Sequence, residues 1–390
     1  MTEARIKSIE LTPIHVPFKE YVKKALLETE GGLGMAIPSE EEWLGGDFVI
    51  CKLISNDGTI GIGESFVWLP ETGVSPAQII DAIKNALSGY VLGENPFNIE
   101  KIIKRMDNNV SRSEVAKGLI DIACYDLMGK IANKPAYEFM GGKCADEIPL
   151  CALIPLADPM LMRGLTKSYL KKGFKTFRIK LGRSIPEDIE ITETIRKAIG
   201  DDARLRVDYN QAYDPNIAVR AIKAIEPFGI DFAEQPVDKD DYIGMQYVQK
   251  RVDTPLMSHE GCFSLRDIIT LVELGAIGVV GINSERPGGT TNAIKAINYA
   301  EMKGMGVVLH NQPLGIASAW QIHLAAAKFH SLGHAMELFG DEMMEDDLIK
   351  TPLNYKGGMI QVPEGSGWGV ELDEEALEKY ATEPTISIKK

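Results

Sequence analysis

From about residue 147 onward the hydrophobic positions keep one rhythm: a short apolar run, an amphipathic stretch, then another short run. The runs end near Ile154, Lys180, Asp208, Glu234, Glu260, Asn283, His310 and Glu337. Between them, segments such as 187–199, 265–274 and 291–302 repeat apolar residues at helical spacing. Eight strand–helix alternations of this length call for a closed parallel barrel over residues 141–350 rather than an open sheet. In such a barrel the chemistry gathers at the C-terminal ends of the strands, and seven of these eight run ends carry a charged or polar side chain.

Residues 1–140 are patterned differently. Strand-like alternation over 5–16 reads as a strand, and 48–54 and 59–64 flank Asn56-Asp57-Gly58 as a hairpin. Helical stretches follow near 76–90, 97–108 and 112–132, the last with Val115, Leu119, Ile122, Ala123 and Leu127 on one stripe. This is an α+β unit placed before the barrel. Residues 21–46 are polar and glycine-bearing and read as a mobile loop. After 350 the rhythm lapses into Gly- and Pro-bearing pieces, so 351–390 is expected to pack back on the N-terminal unit.

Asp208, Glu234 and Glu260 stand 26 positions apart, about one strand–helix unit, so they are expected at one level on three successive strands. Three buried carboxylates repel one another unless a cation joins them. Oxygen-only ligands suit a hard divalent ion, Mg2+ before Ca2+ or Mn2+. Adjacent strand residues face opposite ways, which favours Glu260 over His259 as the third ligand. Arg178 and Lys180 share one strand face. A lone strand lysine is ordinarily a solvated rim residue, but beside these carboxylates Lys180 reads as a general base. His310 ends the seventh run and would face Lys180 across the barrel mouth, whereas His323 on the following apolar helix reads as structural.

The net charge of −14 argues against a nucleic-acid surface. The five cysteines are scattered without a CxxC pair, as in a reduced, cytoplasmic protein. No signal-peptide block or membrane-length apolar run is present, so no membrane partner is expected.

Motifs along nearly the whole chain resemble the enolase superfamily, in its mandelate racemase/muconate lactonizing enzyme-like family and mandelate racemase-like subgroup. They are Asp57-Gly58, Gly61 to Glu64, Asp121, Asp126, Gly129-Lys130, Gly141-Gly142, Arg178-Ile179-Lys180, Val207 to Gln211, Ala233 to Pro236, Gly288-Gly289, His310 and Glu337. The resemblance implies a TIM barrel of the modified (β/α)7β form under an N-terminal α+β capping domain. It implies Mg2+ on Asp208, Glu234 and Glu260, chelating the carboxylate of a small substrate. Lys180 and His310 become an opposed acid/base pair, Glu337 hydrogen-bonds an enediolate, and Asn210 lies at the substrate or metal edge. Two positions depart from the pattern: Arg178 replaces the first lysine of the K-x-K motif, and Asn283 replaces the aspartate that supports the histidine. A homo-oligomer between dimer and octamer is the expected assembly.

Three reactions are open: dehydration of a hydroxy acid such as an acid sugar or hydroxylated amino acid, racemisation or epimerisation of an α-substituted carboxylate, and carboxylate binding without catalysis. A neutral Asn283 beside His310 would make it a weaker base than a racemase needs, which favours the dehydratase. The segment 21–46 would close over the substrate. Lys23, Lys24, Trp43, Trp68 and Arg286 are candidates for contacting it, against the ordinary reading of each as a surface or packing residue.

Overall fold

The alternating N-terminal segment forms the strand β1 (Ile6–Pro17) in a computed structural model that describes residues 4–27, 43–311 and 313–389. It pairs antiparallel with β2 (Gly45–Ser55), which pairs with β3 (Ile60–Val67). The β2–β3 turn is tied by Asp57 Oδ1, which accepts the Thr59 N–H at 2.9 Å. On the other side of β1 lies the C-terminal strand Ile386–Lys389, so both chain ends share one sheet.

The segment 21–46 is not wholly a loop. It starts inside the helix Glu20–Leu27, and β2 already begins at Gly45; residues 28–42 lie outside the described residues. Local anchoring explains the helix. Val22 packs on the core, Tyr21 donates to the Glu342 carbonyl at 2.5 Å, and Lys23 pairs with Glu345 at 3.3 Å.

The helix Glu114–Ala132 was expected to bury one stripe, yet every residue from Val115 to Gly129 is buried. It is clamped between the N-terminal sheet and the barrel. Close approach on the sheet side needs glycine: a Cβ at Gly61 would sit 2.4 Å from the Ala123 carbonyl oxygen. The helix's charged residues are tolerated inside because they are paired. Asp121 accepts from Thr291 N at 3.0 Å and Thr291 Oγ1 at 2.5 Å, while Asp126 accepts from Ile62 N at 2.7 Å and Trp368 N at 2.8 Å. Glu64 likewise caps the barrel helix Gly315–Ala327, accepting from Leu314 N at 2.6 Å and from Ile316 N and Ala317 N at 3.1 Å. Buried carboxylates from the cap thus dock it on the barrel.

The barrel strands follow in sequence: β4 (Cys151–Ile154), β5 (Thr176–Lys180), β6 (Arg204–Asp208), β7 (Ala233–Glu234), β8 (Leu256–Ser258), β9 (Val279–Ile282), β10 (Gly306–Asn311) and β11 (Glu337–Leu338). All pairs are parallel and in chain order. The ring nearly closes through a Leu150–Met336 bridge, with Cys151 N donating to the Met336 carbonyl at 2.9 Å. Each connection through β10–β11 carries a helix, several opened by side-chain caps such as Asp158, Ser184, Asp214 and Ser264. Directly after β11 the short helix Gly340–Met343 stands where a full barrel helix would, which gives the (β/α)7β form.

Candidate active site

At the C-terminal ends of the strands, Lys180, Asp208 and Glu234 are successive register partners on β5, β6 and β7. Glu260 is not at their level. The β8 partner of Glu234 is Met257, and β8 ends at Ser258, leaving His259 and Glu260 in the turn beyond. Equal sequence spacing therefore did not mean equal height, and strand alternation cannot choose between His259 and Glu260. The turn nevertheless returns Glu260 to the cluster. Asn210 donates its N–H to Asp208 Oδ1 at 2.8 Å and its Nδ2 to Glu260 Oε1 at 3.3 Å. It also accepts from Lys180 Nζ at 2.6 Å. The left-handed backbone of Asn210, with φ +44°, lets one residue reach all three.

Charge within the cluster is unevenly shared. Arg178 pairs with Asp208, with Glu234 at 2.9 Å and with Glu337 at 3.0 Å, and Lys180 Nζ lies 2.5 Å from Asp208 Oδ2. Burial alone would raise the Asp208 pKa, but Arg178 and Lys180 outweigh it and hold the group below its usual value. Glu234 is driven well above the ordinary carboxylate range by burial, with Asp208, Glu337 and Glu260 adding to the rise against Arg178. Glu260 is pushed up to about 7 by burial and then by Asp208 and Glu71. Both keep a buried oxygen, Oε2, that accepts no hydrogen bond. Two carboxylates with orphaned oxygens, coupled to a third, are a donor set that a hard dication would satisfy.

Among the described residues His310 makes no hydrogen bond to Asn283. Its Nδ1 lies 2.5 Å from Glu337 Oε2, its own register partner on β11. Asn283 Oδ1 instead accepts the N–H groups of Glu285 at 3.1 Å and Arg286 at 2.8 Å, and its Nδ2 faces His259 Nε2 at 3.4 Å. Glu337 accepts from Arg178 Nη1 at 3.0 Å as well as from His310, and it pairs with Arg206. Burial would raise its pKa, but Arg178, Arg206 and His310 prevail and hold it far below the carboxylate range. Burial lowers the His310 pKa, with Glu337 opposing.

Glu234, His259 and His310 each offer a ligand atom within 4.8 Å of the others, a second grouping beside the three carboxylates. His259 was the competitor for the third ligand position; its Nδ1 lies 3.7 Å from Glu234 Oε1 and 3.8 Å from Glu260 Oε2. Arg286 was a candidate substrate contact and is instead bound to Glu71 of the cap at 2.8 Å and to His259 Nε2 at 3.2 Å. Trp43 and Trp68 stack on each other at 5.1 Å, Lys23 pairs with Glu345, and Lys24 is likewise engaged rather than free. His323 is structural as expected: its Nε2 meets the Trp368 carbonyl at 3.0 Å. Arg206 was missed, although its place two residues before Asp208 is the same alternation that singled out Arg178.

Models of two domains match the chain: "Mandelate racemase / muconate lactonizing enzyme, N-terminal domain" over 35–141 and "Enolase C-terminal domain-like" over 161–376. The chain belongs to the mandelate racemase/muconate lactonizing enzyme family of the enolase superfamily. It is 33% identical to an N-succinyl-L-Arg/Lys racemase of Bacillus cereus, over 85% of this chain and 89% of that protein. It is 36% identical to a hydrophobic dipeptide epimerase of Enterococcus faecalis, over 72% and 80%. A chloromuconate cycloisomerase of Cupriavidus pinatubonensis is 29% identical over 85% and 91%. The crystal structure of the Bacillus cereus racemase superposes with a TM-score of 0.88 at 30% identity, covering 99% of this chain and 100% of that one. That of the Enterococcus faecalis epimerase, complexed with Mg and the dipeptide L-Leu-L-Tyr, gives 0.84 at 30% identity over 94% and 99%. These relatives are isomerases, which overturns the lyase expected from the sequence. The geometry agrees on the physical point, because the neutral amide invoked to weaken His310 makes no hydrogen bond to it among the described residues.

Proposed function

We propose that this protein is a Mg2+-dependent racemase or epimerase that inverts the α-carbon of a small carboxylate substrate carrying an acylated α-amino group, an N-acyl amino acid or a dipeptide. The substrate class is supported by the N-succinyl amino acid racemase and the dipeptide epimerase among the relatives. The observation that carries the reaction is the pair Lys180 and His310. Both are buried at the mouth, on β5 and β10, and each is aligned by its own carboxylate, Asp208 at 2.5 Å and Glu337 at 2.5 Å. Inversion needs one group to take the α-proton from one face and another to return a proton to the opposite face, with the roles exchanged for the mirror substrate.

Asp208, Glu234 and Glu260 would hold the cation, and Asn210 would fix the geometry between Asp208, Glu260 and Lys180. A dication there supplies Lewis-acid stabilisation of the charge that develops on the substrate carboxylate. Lys180 moves the proton at Nζ. His310 moves it at Nε2, because Nδ1–H is committed to Glu337. Arg178 ties Asp208, Glu234 and Glu337 in place through one guanidinium.

Incubating the protein with Mg2+ and a panel of N-succinyl amino acids and dipeptides in D2O tests the reading by NMR and chiral chromatography. The expected result is α-deuterium incorporation with stereoinversion. Lys180→Ala and His310→Asn should each abolish inversion, and one of them should retain exchange on a single enantiomer. A panel showing no exchange, or exchange accompanied by water loss to a keto acid, would refute it.

A further inference from the structure

His259 sits between the carboxylate cluster and the cap, with its ring edge-on to His310 at 4.3 Å between centroids. Its hydrogen-bond polarity is fixed from outside the cluster. Asn283 Oδ1 accepts two backbone N–H groups, at 3.1 and 2.8 Å, so the amide cannot flip, and its Nδ2 donor faces His259 Nε2 at 3.4 Å. Arg286 Nη2 approaches the same nitrogen at 3.2 Å, and a guanidinium has no acceptor. Glu71 of the cap holds that guanidinium in place at 2.8 Å. Two donors on Nε2 make it the acceptor of the ring and put the proton of the neutral imidazole on Nδ1.

That proton points toward the carboxylate cluster and has no hydrogen-bond partner among the described residues. The carboxylate oxygens beside Nδ1 are at 3.7 and 3.8 Å, beyond hydrogen-bond range. A metal ligand needs a lone pair, and Nδ1 has none in this tautomer. Both oxygens of Glu337, the residue expected to hydrogen-bond the developing enediolate, already face donors on Arg178, His310 and Arg206. The Nδ1–H of His259 is a donor beside them that is not committed in this way.

We infer that His259 is a catalytic hydrogen-bond donor, presenting Nδ1–H to a carboxylate oxygen of the substrate, and that Asn283, Arg286 and Glu71 are positioning residues that set its tautomer. The inference rests on the proposed α-proton chemistry for its kinetic part only. A donor aimed at the oxygen where charge develops is worth about 10²–10³ in kcat.

Two variants and a spectroscopic measurement test this. In His259→Asn the amide nitrogen falls where Nδ1 lies, whereas His259→Phe offers no donor. The Phe variant should lose about 10²–10³ in kcat and the Asn variant less than about tenfold. Mn2+ affinity should stay within about threefold in both, since a lost ligand would cost more. Electron spin echo modulation of the Mn2+-loaded wild type should show no directly bound nitrogen from this ring. A bound nitrogen that vanishes in His259→Asn overturns the inference by making His259 a ligand, and equal impairment of the Asn and Phe variants overturns the donor role. If wild-type protein exchanges no α-proton with any substrate, the proposed reaction fails instead, and the spin-echo result still decides whether His259 binds the ion.

Discussion

Replacing Glu337 by Gln isolates the charge that holds the barrel mouth together. Its Oε2 receives Arg178 Nη1 at 3.0 Å and His310 Nδ1 at 2.5 Å, and its Oε1 pairs with Arg206. The two guanidiniums would respond differently. Arg178 keeps Asp208 and Glu234, whereas Arg206 is left with the Ala335 carbonyl, at 3.2 Å from both Nη atoms, and the face of Phe232 at 5.3 Å. Stranding a buried charge in this way costs about 3–5 kcal/mol. Most of that loss belongs to Arg206, which makes the effect conditional. In Arg206→Met/Glu337→Gln no guanidinium is stranded, so the double variant should be more stable than Glu337→Gln by about 2 kcal/mol or more. Urea unfolding followed by circular dichroism measures both terms. Additive losses in the double variant, or a loss below about 1 kcal/mol in Glu337→Gln, would refute the assignment of the strain to Arg206. The same substitution removes the anion that raises the His310 pKa, so the acidic limb of the pH–rate profile should move to lower pH.

Saturating Mg2+ or Mn2+ at about 100 times its Kd should stabilise the protein by about 2.7 kcal/mol. With an unfolding entropy of about 2.1 cal/mol/K per residue, that is a rise of about 3 °C in Tm for a chain of this length, and Glu234→Gln or Glu260→Gln should abolish it in a thermal scan. His323 has its pKa pushed down to about 3 by burial, against about 6.5 in the unfolded chain, so falling pH protonates the unfolded state first. Its contribution is complete above pH 6.5 and drains away toward pH 3, amounting to about 2 kcal/mol between pH 7.5 and 5, and His323→Gln should flatten that slope in urea titrations. Gly289 has φ +79° and a Cβ there would lie 2.8 Å from Asp121, so Gly289→Ala should lose at least about 1–3 kcal/mol on the same assay.

The strand ends were legible because a barrel strand announces itself twice, by its apolar run and by the polar residue that closes it. Lys180, Asp208 and Glu234 were found in this way, and they are true register partners. Glu260 was reached by counting, on a premise the structure does not share: β8 stops at Ser258, and a turn, not the strand, carries the glutamate back to the cluster. The hydrogen-bond partner of His310 was misread because strand-level analogy assigned it to Asn283 at the end of β9, while parallel pairing gives it Glu337 on β11. That error fed the dehydratase expectation, so one misplaced hydrogen bond altered the reading of the reaction. The helix at 20–27 was missed because its stability comes from residues 342–345, more than 300 positions away, and no local pattern reports that.

The buried charges also constrain the order of binding. Asp208, Glu234, Glu260 and Glu337 are four anions; Arg178, Lys180 and Arg206 are three cations; Arg286 and Glu71 cancel one another. With all of them ionised the protein alone carries one excess negative charge at the mouth, and a substrate carboxylate would add a second. A dication converts the excess to one positive charge, which a single carboxylate then neutralises. The shifts follow the same arithmetic, since the upward-driven values are those of Glu260, which pairs with no lysine or arginine among the described residues, and Glu234, which shares Arg178 with Asp208 and Glu337. Dianionic substrates such as N-succinyl derivatives would therefore keep their second carboxylate away from this cluster, toward the cap. Substrate affinity measured by calorimetry should be weak without a divalent ion and should return with it, and tight metal-free binding of a carboxylate would show that the buried anions are not ionised together.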